Sequence, residues 1–332
     1  MSRFSLPGII ISLTAILMVS GCATNTTNTG KGVVIQEFTP GFSEVYPGEE
    51  VHFFLKFKNE GSVKATKVFA ELVGLDEDWA ASSSGLGTIT SGEMLPQEAG
   101  CQYTSSSKLT LNAPDLTYGT GGESATCTWR YNAPNIPGGT KTKYDITARV
   151  FYNYNTFVTK SFTIAPAQEL MAYNQQGRTL PASTISTTNS PISITAVARD
   201  PIRFYTDDMV SFPLAITLSN NGGGVVCLKD MCKKGSDGGN EWNKVVLRIK
   251  PRNSDVKISP ECSKYTGSTG DSSGGGSETK GVVEVWPNRD NTVICDIKVT
   301  GLSKIVGHQE MLIDIGAEYS YFTDKDASIT IL

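Results

Sequence analysis

The chain has 332 residues and a formal net charge of −4, from 29 basic and 33 acidic side chains, with only 2 histidines. Its Lys and Arg form no basic stripe, which excludes nucleic acid as a partner. With 33 Gly and 15 Pro, many Val, Thr, Ser and Tyr, and no sustained 3.6-residue period after residue 22, the chain is expected to be all-β and to hold two domains rather than one.

Residues 1–21 read as a signal peptide. Arg3 is their only charge, and the apolar run from Gly8 to Val19 is well short of the ~20 residues a helix needs to cross a bilayer. The run ends in Val19-Ser20-Gly21-Cys22, which resembles the lipobox of bacterial and archaeal lipoproteins. That resemblance implies cleavage before Cys22 and a lipid on its thiol. Residues 22–30 are then a flexible tether with an average reach of about 17 Å. They carry one candidate glycosylation sequon, Asn25-Thr26-Thr27.

The rest of the chain repeats itself. Ile146–Ile164 (ITARVFYNYNTFVTKSFTI) overlays Ile313–Ile331 (IDIGAEYSYFTDKDASITI) without a gap, so that Tyr152 meets Tyr319 and Tyr154 meets Tyr321. Each segment is expected to be a strand, a turn and a second strand, a hairpin-like unit. Upstream, Val51 to Phe57 followed by Asn59-Glu-Gly61 matches Val210 to Ile216 followed by Asn220-Asn-Gly222. Both are period-two strands entering an Asn/Gly turn. The reading is one β-sandwich copied twice, over residues 31–166 and 191–332, joined by a polar linker at 167–190.

In the first copy strands are expected near 33–38, 51–59, 63–73, 124–132, 144–152 and 156–164, with a surface excursion over 80–107. In the second they are expected near 192–199, 209–219, 243–250, 281–286, 291–298, 309–319 and 327–332. The Gly/Ser-rich stretch from Tyr265 to Lys280 has little that could pack.

Setting Cys22 aside leaves Cys101, Cys127, Cys227, Cys232, Cys262 and Cys295, an even set suited to disulfides in an exported chain. Cys127 and Cys295 occupy equivalent places in the repeat. This pairs Cys101 with Cys127 and Cys262 with Cys295, and leaves Cys227 to close a tight loop with Cys232. On loop entropy the longer bridges stabilise by roughly 3.5 kcal/mol each and the short one by about 2 kcal/mol.

Motifs for chemistry are sparse. Gly270-Asp-Ser272-Ser-Gly274 matches G-x-S-x-G, but it lies in low-complexity sequence without the strand, helix and histidine that a nucleophile elbow needs. His52 and His308 fall in different halves and make a poor base or metal pair. Asp200, Asp207 and Asp208, with Asp324 and Asp326, look like solvated turn residues without a Ca²⁺-loop spacing. Trp129 is expected in the core, while Trp79, Trp242 and Trp286 fall at strand or loop edges where an exposed ring would stack on a sugar. No catalytic residue, cofactor or metal is expected.

Ile35-Gln-Glu-Phe-Thr-Pro40, Val45-Tyr-Pro-Gly-Glu49, Asn59-Glu-Gly61 and Ala65-Thr-Lys-Val68 resemble the opening of the cell-adhesion-related (CARDB-like) immunoglobulin-type domains of archaeal surface proteins. The resemblance covers the first copy and reaches the second only through the repeat. It implies two tandem immunoglobulin-like β-sandwich domains serving as spacer or adhesion modules, with no catalytic residue to carry over. The expectation is therefore a non-enzymatic, lipid-anchored protein on the outer face of the membrane, with a protein or glycan partner. An envelope glycan-binding module, a subunit of a pilus or secretion-type assembly, and an unrecognised hydrolase remain alternatives.

Overall fold

A computed structural model of the chain describes residues 30–81, 103–104, 107–232, 241–259, 262–270 and 278–332. In chain order the strands begin with β1 (Val33–Pro40), β2 (Glu44–Val45), β3 (Glu50–Asn59), β4 (Ala65–Val73), β5 (Ala80–Ala81), β6 (Tyr103–Thr104), β7 (Ser107–Leu111), β8 (Ser124–Asn132) and β9 (Thr142–Pro166). A helix, α1 (Ala167–Gln175), precedes β10 (Ile185–Thr187), β11 (Ile192–Ala198), β12 (Ile202–Phe204), β13 (Met209–Asn220), β14 (Val225–Cys227) and β15 (Lys244–Pro251). The last are β16 (Val256–Ile258), β17 (Thr266–Gly270), β18 (Thr279–Glu284), β19 (Asn291–Thr300) and β20 (Gln309–Ile331).

The chain is all-β in character, and the described strands form three sheets. Two are small and alike, in the orders β1-β3-β8-β5 and β11-β13-β19-β16. Their registers correspond residue by residue. Phe53 faces Trp129 and Leu55 faces Cys127 in one; Phe212 faces Ile297 and Leu214 faces Cys295 in the other. Period-two alternation explains both. In β3, Val51, Phe53, Leu55 and Phe57 point into the core while His52 and Lys56 face out.

The third sheet is shared. It runs β17-β18-β15-β20-β9-β4-β7-β6, and β9 pairs antiparallel with β20 from Thr142↔Ile331 to Ile164↔Gln309. The expected turns near Asn153 and Asp324 do not exist: each repeat segment is one unbroken strand. The polar residues that suggested turns have cross-strand partners instead. Asp324 accepts two hydrogen bonds from Arg149, at 2.8 and 2.7 Å, and Asp326 accepts one from Thr147 at 2.7 Å.

Each half is completed by the other copy. The first part of β9 pairs with β4 and its last residues with β10 and β12, while β20 starts against β15 and ends against β14 and β2. Tyr152 corresponds to Tyr319 in the repeat but lies opposite Tyr321, and Tyr154 lies opposite Tyr319. A pseudo-two-fold axis therefore passes between Asn153 and Ser320, opposed residues that are also each other's repeat equivalents.

On the inner face of this crossing, four fully buried tyrosines make a ring of contacts. Centroids are 5.7 Å apart for Tyr152 and Tyr321, 6.4 Å for Tyr154 and Tyr319, 5.9 Å for Tyr152 and Tyr154, and 6.3 Å for Tyr319 and Tyr321. The Asn/Gly turns lock onto them. Val63 N–H donates to the Tyr154 hydroxyl at 3.0 Å, and Gly224 N–H donates to Tyr321 at 2.8 Å. Asn59 and Asn220 each fold back on their own turns, accepting from Gly61 N–H and Gly222 N–H. One hydrophobic cluster runs continuously through both halves.

Further expectations need correction. Trp79 is buried, its ring edge-on to Tyr144 at 5.3 Å and tilted against Phe53 at 6.0 Å. Tyr265 to Gly270 is not unpacked: β17 joins β18, and the Tyr265 ring sits where a side chain at Gly281 would be. Residues 167–190 carry α1 and β10, which pairs with β9.

Candidate functional site

Cys22, Asn25, Cys101 and Ser272 lie outside the described residues. Cys262 bonds Cys295, Cys227 bonds Cys232, and Cys127 is fully buried and disulfide-bonded. The Cys262–Cys295 bridge sits in the core beside β19. The short bridge is on the outer face of the shared sheet, packed with Phe151 and Phe322. Its loop caps the axis, where Asp230 accepts from Asn153 Nδ2 at 2.8 Å and pairs with Lys67.

The structure does not bring the histidines together. His52 pairs with its neighbour Glu50 at 2.8 Å, and His308 Nδ1 lies 2.8 Å from Glu169 Oε1 and edge-on to Tyr173. Asp200 and Asp208 are occupied locally. Asp200 accepts from Thr163 N–H and Ser183 N–H, and Asp208 accepts from Ser303, whose hydroxyl and then backbone N–H hold its carboxyl below the usual range. Among the described residues no cluster of three His, Cys, Asp or Glu could hold a metal, and no helix is long and apolar enough to cross a membrane.

Burial dominates the titration of the axis. It pushes the Tyr154 and Tyr321 hydroxyls up to about 12, and it raises Tyr152 and Tyr319 as well. All four are neutral at ordinary pH, and Tyr154, Tyr319 and Tyr321 hydrogen-bond to the surrounding turns and strands, which suits a structural junction.

Among the described residues, two concave places stand out on the surface. The larger, about 410 Å³, is a groove on the outer face of the shared sheet in the second half. Phe157, 52% exposed, lies over Gly316 there, with the Arg252–Asp314 pair (2.7 Å) and Arg248 bridging Glu278 and Glu318. Both of its arginines are already paired with carboxylates.

The smaller, about 260 Å³, is lined by Lys264, Glu284, Trp286, Arg289, Asp290 and Asn291. It is built by the turn Trp286-Pro287-Asn288-Arg289. Proline presets the second position and Asn288 takes positive φ (56°), which brings Trp286 and Arg289 into bridge pairing. Trp286 is 46% exposed and its Nε1 donates to Glu284 at 3.3 Å. Lys264 donates to Asn291 Oδ1 at 2.8 Å, and Asn291 Nδ2 to the Glu284 carbonyl at 2.8 Å.

The sequence singled out Trp286 but not the polar residues around it. The signal that finds them is the Pro-Asn pair, since a turn with positive φ at its third residue sets its first and fourth residues together. The two remaining candidate rings differ: Trp242 donates to the Cys232 carbonyl and stacks edge-on to Phe322, and Trp79 is buried.

No family model matches the chain, and no curated protein matches it. Among solved structures it is similar to the secreted serine protease VesC from Vibrio cholerae, at 10% identity and a TM-score of 0.20, over 86% of this chain and 50% of that one. It is also similar to the collagen adhesin (CNA) from S. aureus, at 8% identity and a TM-score of 0.17, over 90% and 92%. The chain thus spans about half the length of the protease chain. Likenesses at these scores carry no argument about fold or activity.

Proposed function

We propose that this chain is a non-enzymatic protein of the cell surface, held to the outer face of the membrane by a lipid on Cys22 and acting as a structural or adhesive module of the envelope. In this reading each half is an immunoglobulin-like sandwich of the CARDB-like kind. The observation that carries it is the β9–β20 ladder, which passes unbroken through both halves. Domains strung on a linker move against each other by default. Here bending at the waist has to break a continuous ladder and unpack four buried tyrosines. Stiffness of that kind suits a module that holds a binding surface away from a membrane or transmits load.

The test is fractionation of cells expressing the wild-type chain and Cys22→Ser. Wild type is expected in the membrane pellet with a lipid-modified N-terminal Cys22 peptide by mass spectrometry, and the signal-cleaved variant in the soluble fraction. An unmodified Cys22 in membrane-bound protein, or a Cys22→Ser chain that stays with the membranes, overturns the anchoring.

A further inference from the structure

The four tryptophans of the chain are not equivalent. Trp79 and Trp129 are buried in the core, and Trp242 is engaged by Phe322 and the Cys232 carbonyl. Trp286 is the most exposed of the four, at 46% against 39% for Trp242, and no ring or cation stacks on it among the described residues.

Around that ring stand polar groups, several of them fixed by one another. The Glu284 carboxylate is oriented by the indole N–H, and Asn291 is clamped between Lys264 and the Glu284 backbone. Asp290 accepts from the Ser219 hydroxyl. Arg289 has no ion-pair partner among the described residues and lies opposite Trp286 across the turn. The cleft thus offers a flat apolar platform beside planar carboxylate, amide and guanidinium groups.

We infer that the Trp286 cleft binds a neutral saccharide. A pyranose ring has a face of C–H bonds that covers an indole, and a rim of hydroxyls that donate and accept at once. Adjacent hydroxyls match the paired atoms of a carboxylate, amide or guanidinium, which is the geometry that makes such bonds specific. Charge decides which saccharide: Lys264 and Arg289 balance Glu284 and Asp290, so the site has no net sign with which to select an acidic or a cationic sugar. Size decides how much of it: about 260 Å³ is below the ~300 Å³ of the smallest drug-sized pockets, which suits a terminal or short stretch of a glycan. The platform sits on the rim of the second half, at the turn between β18 and β19, where a chain of sugars can extend into solvent.

This inference rests on the surface reading for access to glycans, but its test uses soluble protein, so a failure of anchoring leaves the measurement standing. The signal-cleaved chain with Cys22→Ser is applied to an array of neutral and acidic glycans and to insoluble chitin, mannan and glucan. Binding to at least one neutral glycan is expected. Trp286→Ala should weaken it tenfold or more, as truncation of a buried aromatic anchor does. Trp286→Phe should retain part of it, and Trp242→Phe all of it. Arg289→Ala tests the same site where Trp286→Ala fails to fold. Failure to bind any neutral glycan, binding confined to acidic ones, or neutral binding that both Trp286→Ala and Arg289→Ala leave unchanged overturns the proposal.

Discussion

The two halves of the molecule share an inner face and differ on the outer one. Along the shared ladder, Thr147 donates to Asp326 at 2.7 Å, and the pair related by the axis, Thr159 and Asp314, makes the same bond at the same distance. One step nearer the axis the halves part. In the first, Arg149 grips Asp324 with two bonds and lies 4.4 Å above the Phe322 ring. In the second, those positions are Gly316 and Phe157, a bare backbone under an exposed ring. The Cys227–Cys232 loop, Phe69, Phe151 and Trp242 cover the first half's outer face, while the second half's stays open as the groove over Gly316. The inner face is held alike because both cores depend on the same four tyrosines. The outer face has no such tie and was free to diverge.

The strongest way to break this comparison is to remove a tyrosine from each side. Tyr154→Ala and Tyr321→Ala should each cost about 3–5 kcal/mol, as deletion of a buried aromatic does. Because the ladder is shared, each should lower the stability of both halves together. Denaturant unfolding followed at once by circular dichroism and by tryptophan fluorescence should give one coincident transition. Two separated transitions would mean that the halves are independent after all.

Alkali probes the same junction without mutation. Unfolded tyrosines ionise near pH 10, but Tyr154 and Tyr321 hold their protons up to about 12. Between those values the unfolded state sheds protons first. Stability is therefore full below about pH 10 and falls by about 1.4 kcal/mol per pH unit for each tyrosine as pH rises towards 12. Denaturant midpoints at pH 9, 10 and 11 check this, with Tyr321→Phe expected to flatten the slope.

Sharper still is a pair of residues that the axis relates. Thr156 bonds Tyr319 at 3.0 Å, Ser190 at 2.9 Å and the Ile192 carbonyl at 2.9 Å, whereas the Thr323 hydroxyl is buried with no partner among the described residues. Thr156→Val should cost about 1–3 kcal/mol by stranding buried groups. Thr323→Val removes an unsatisfied hydroxyl at nearly constant shape and should be neutral or slightly stabilising. Equal costs at the two sites, measured by thermal or urea unfolding, would mean that the difference between them has no energetic weight.

Much of the inner face was legible in the sequence, because Tyr-x-Tyr and Asn-x-Gly recur at matching places and alternation alone identifies β3 and β13. Strand continuity was not legible. Period two looks the same whether a strand turns back or runs on, and Asn153, Asn155, Asp324 and Asp326 are ordinary turn residues. What keeps them extended is non-local: Arg149, Thr147 and Asp230 come from elsewhere in the chain. Pairing of β9 with the far copy was hidden for the same reason. Of the candidate site, Trp286 stood out as an aromatic at an edge, but so did Trp79, which Tyr144 and Phe53 bury from other parts of the chain. Exposure of an edge ring depends on what folds over it, which composition does not record.

The smallest effect separates two glycines. Gly61 sits inside the first Asn/Gly turn, where an added methyl would run into the Tyr154 hydroxyl and the Lys31 carbonyl. Gly316 sits mid-strand, where the same methyl would meet only Phe157 ring carbons at 3.7 and 3.8 Å and the Thr156 carbonyl at 3.8 Å, all ordinary contacts. Glycine in a strand interior costs roughly 0.5–1 kcal/mol relative to alanine through the freedom it loses on folding. Gly316→Ala should therefore stabilise by about 0.5 kcal/mol, seen as a small rise in the denaturant midpoint at unchanged slope. Gly61→Ala should move it the other way and further. A destabilised Gly316→Ala would show that Phe157 needs bare backbone beneath it, making that ring a fixed part of the fold rather than the residue of an outer face left free to change.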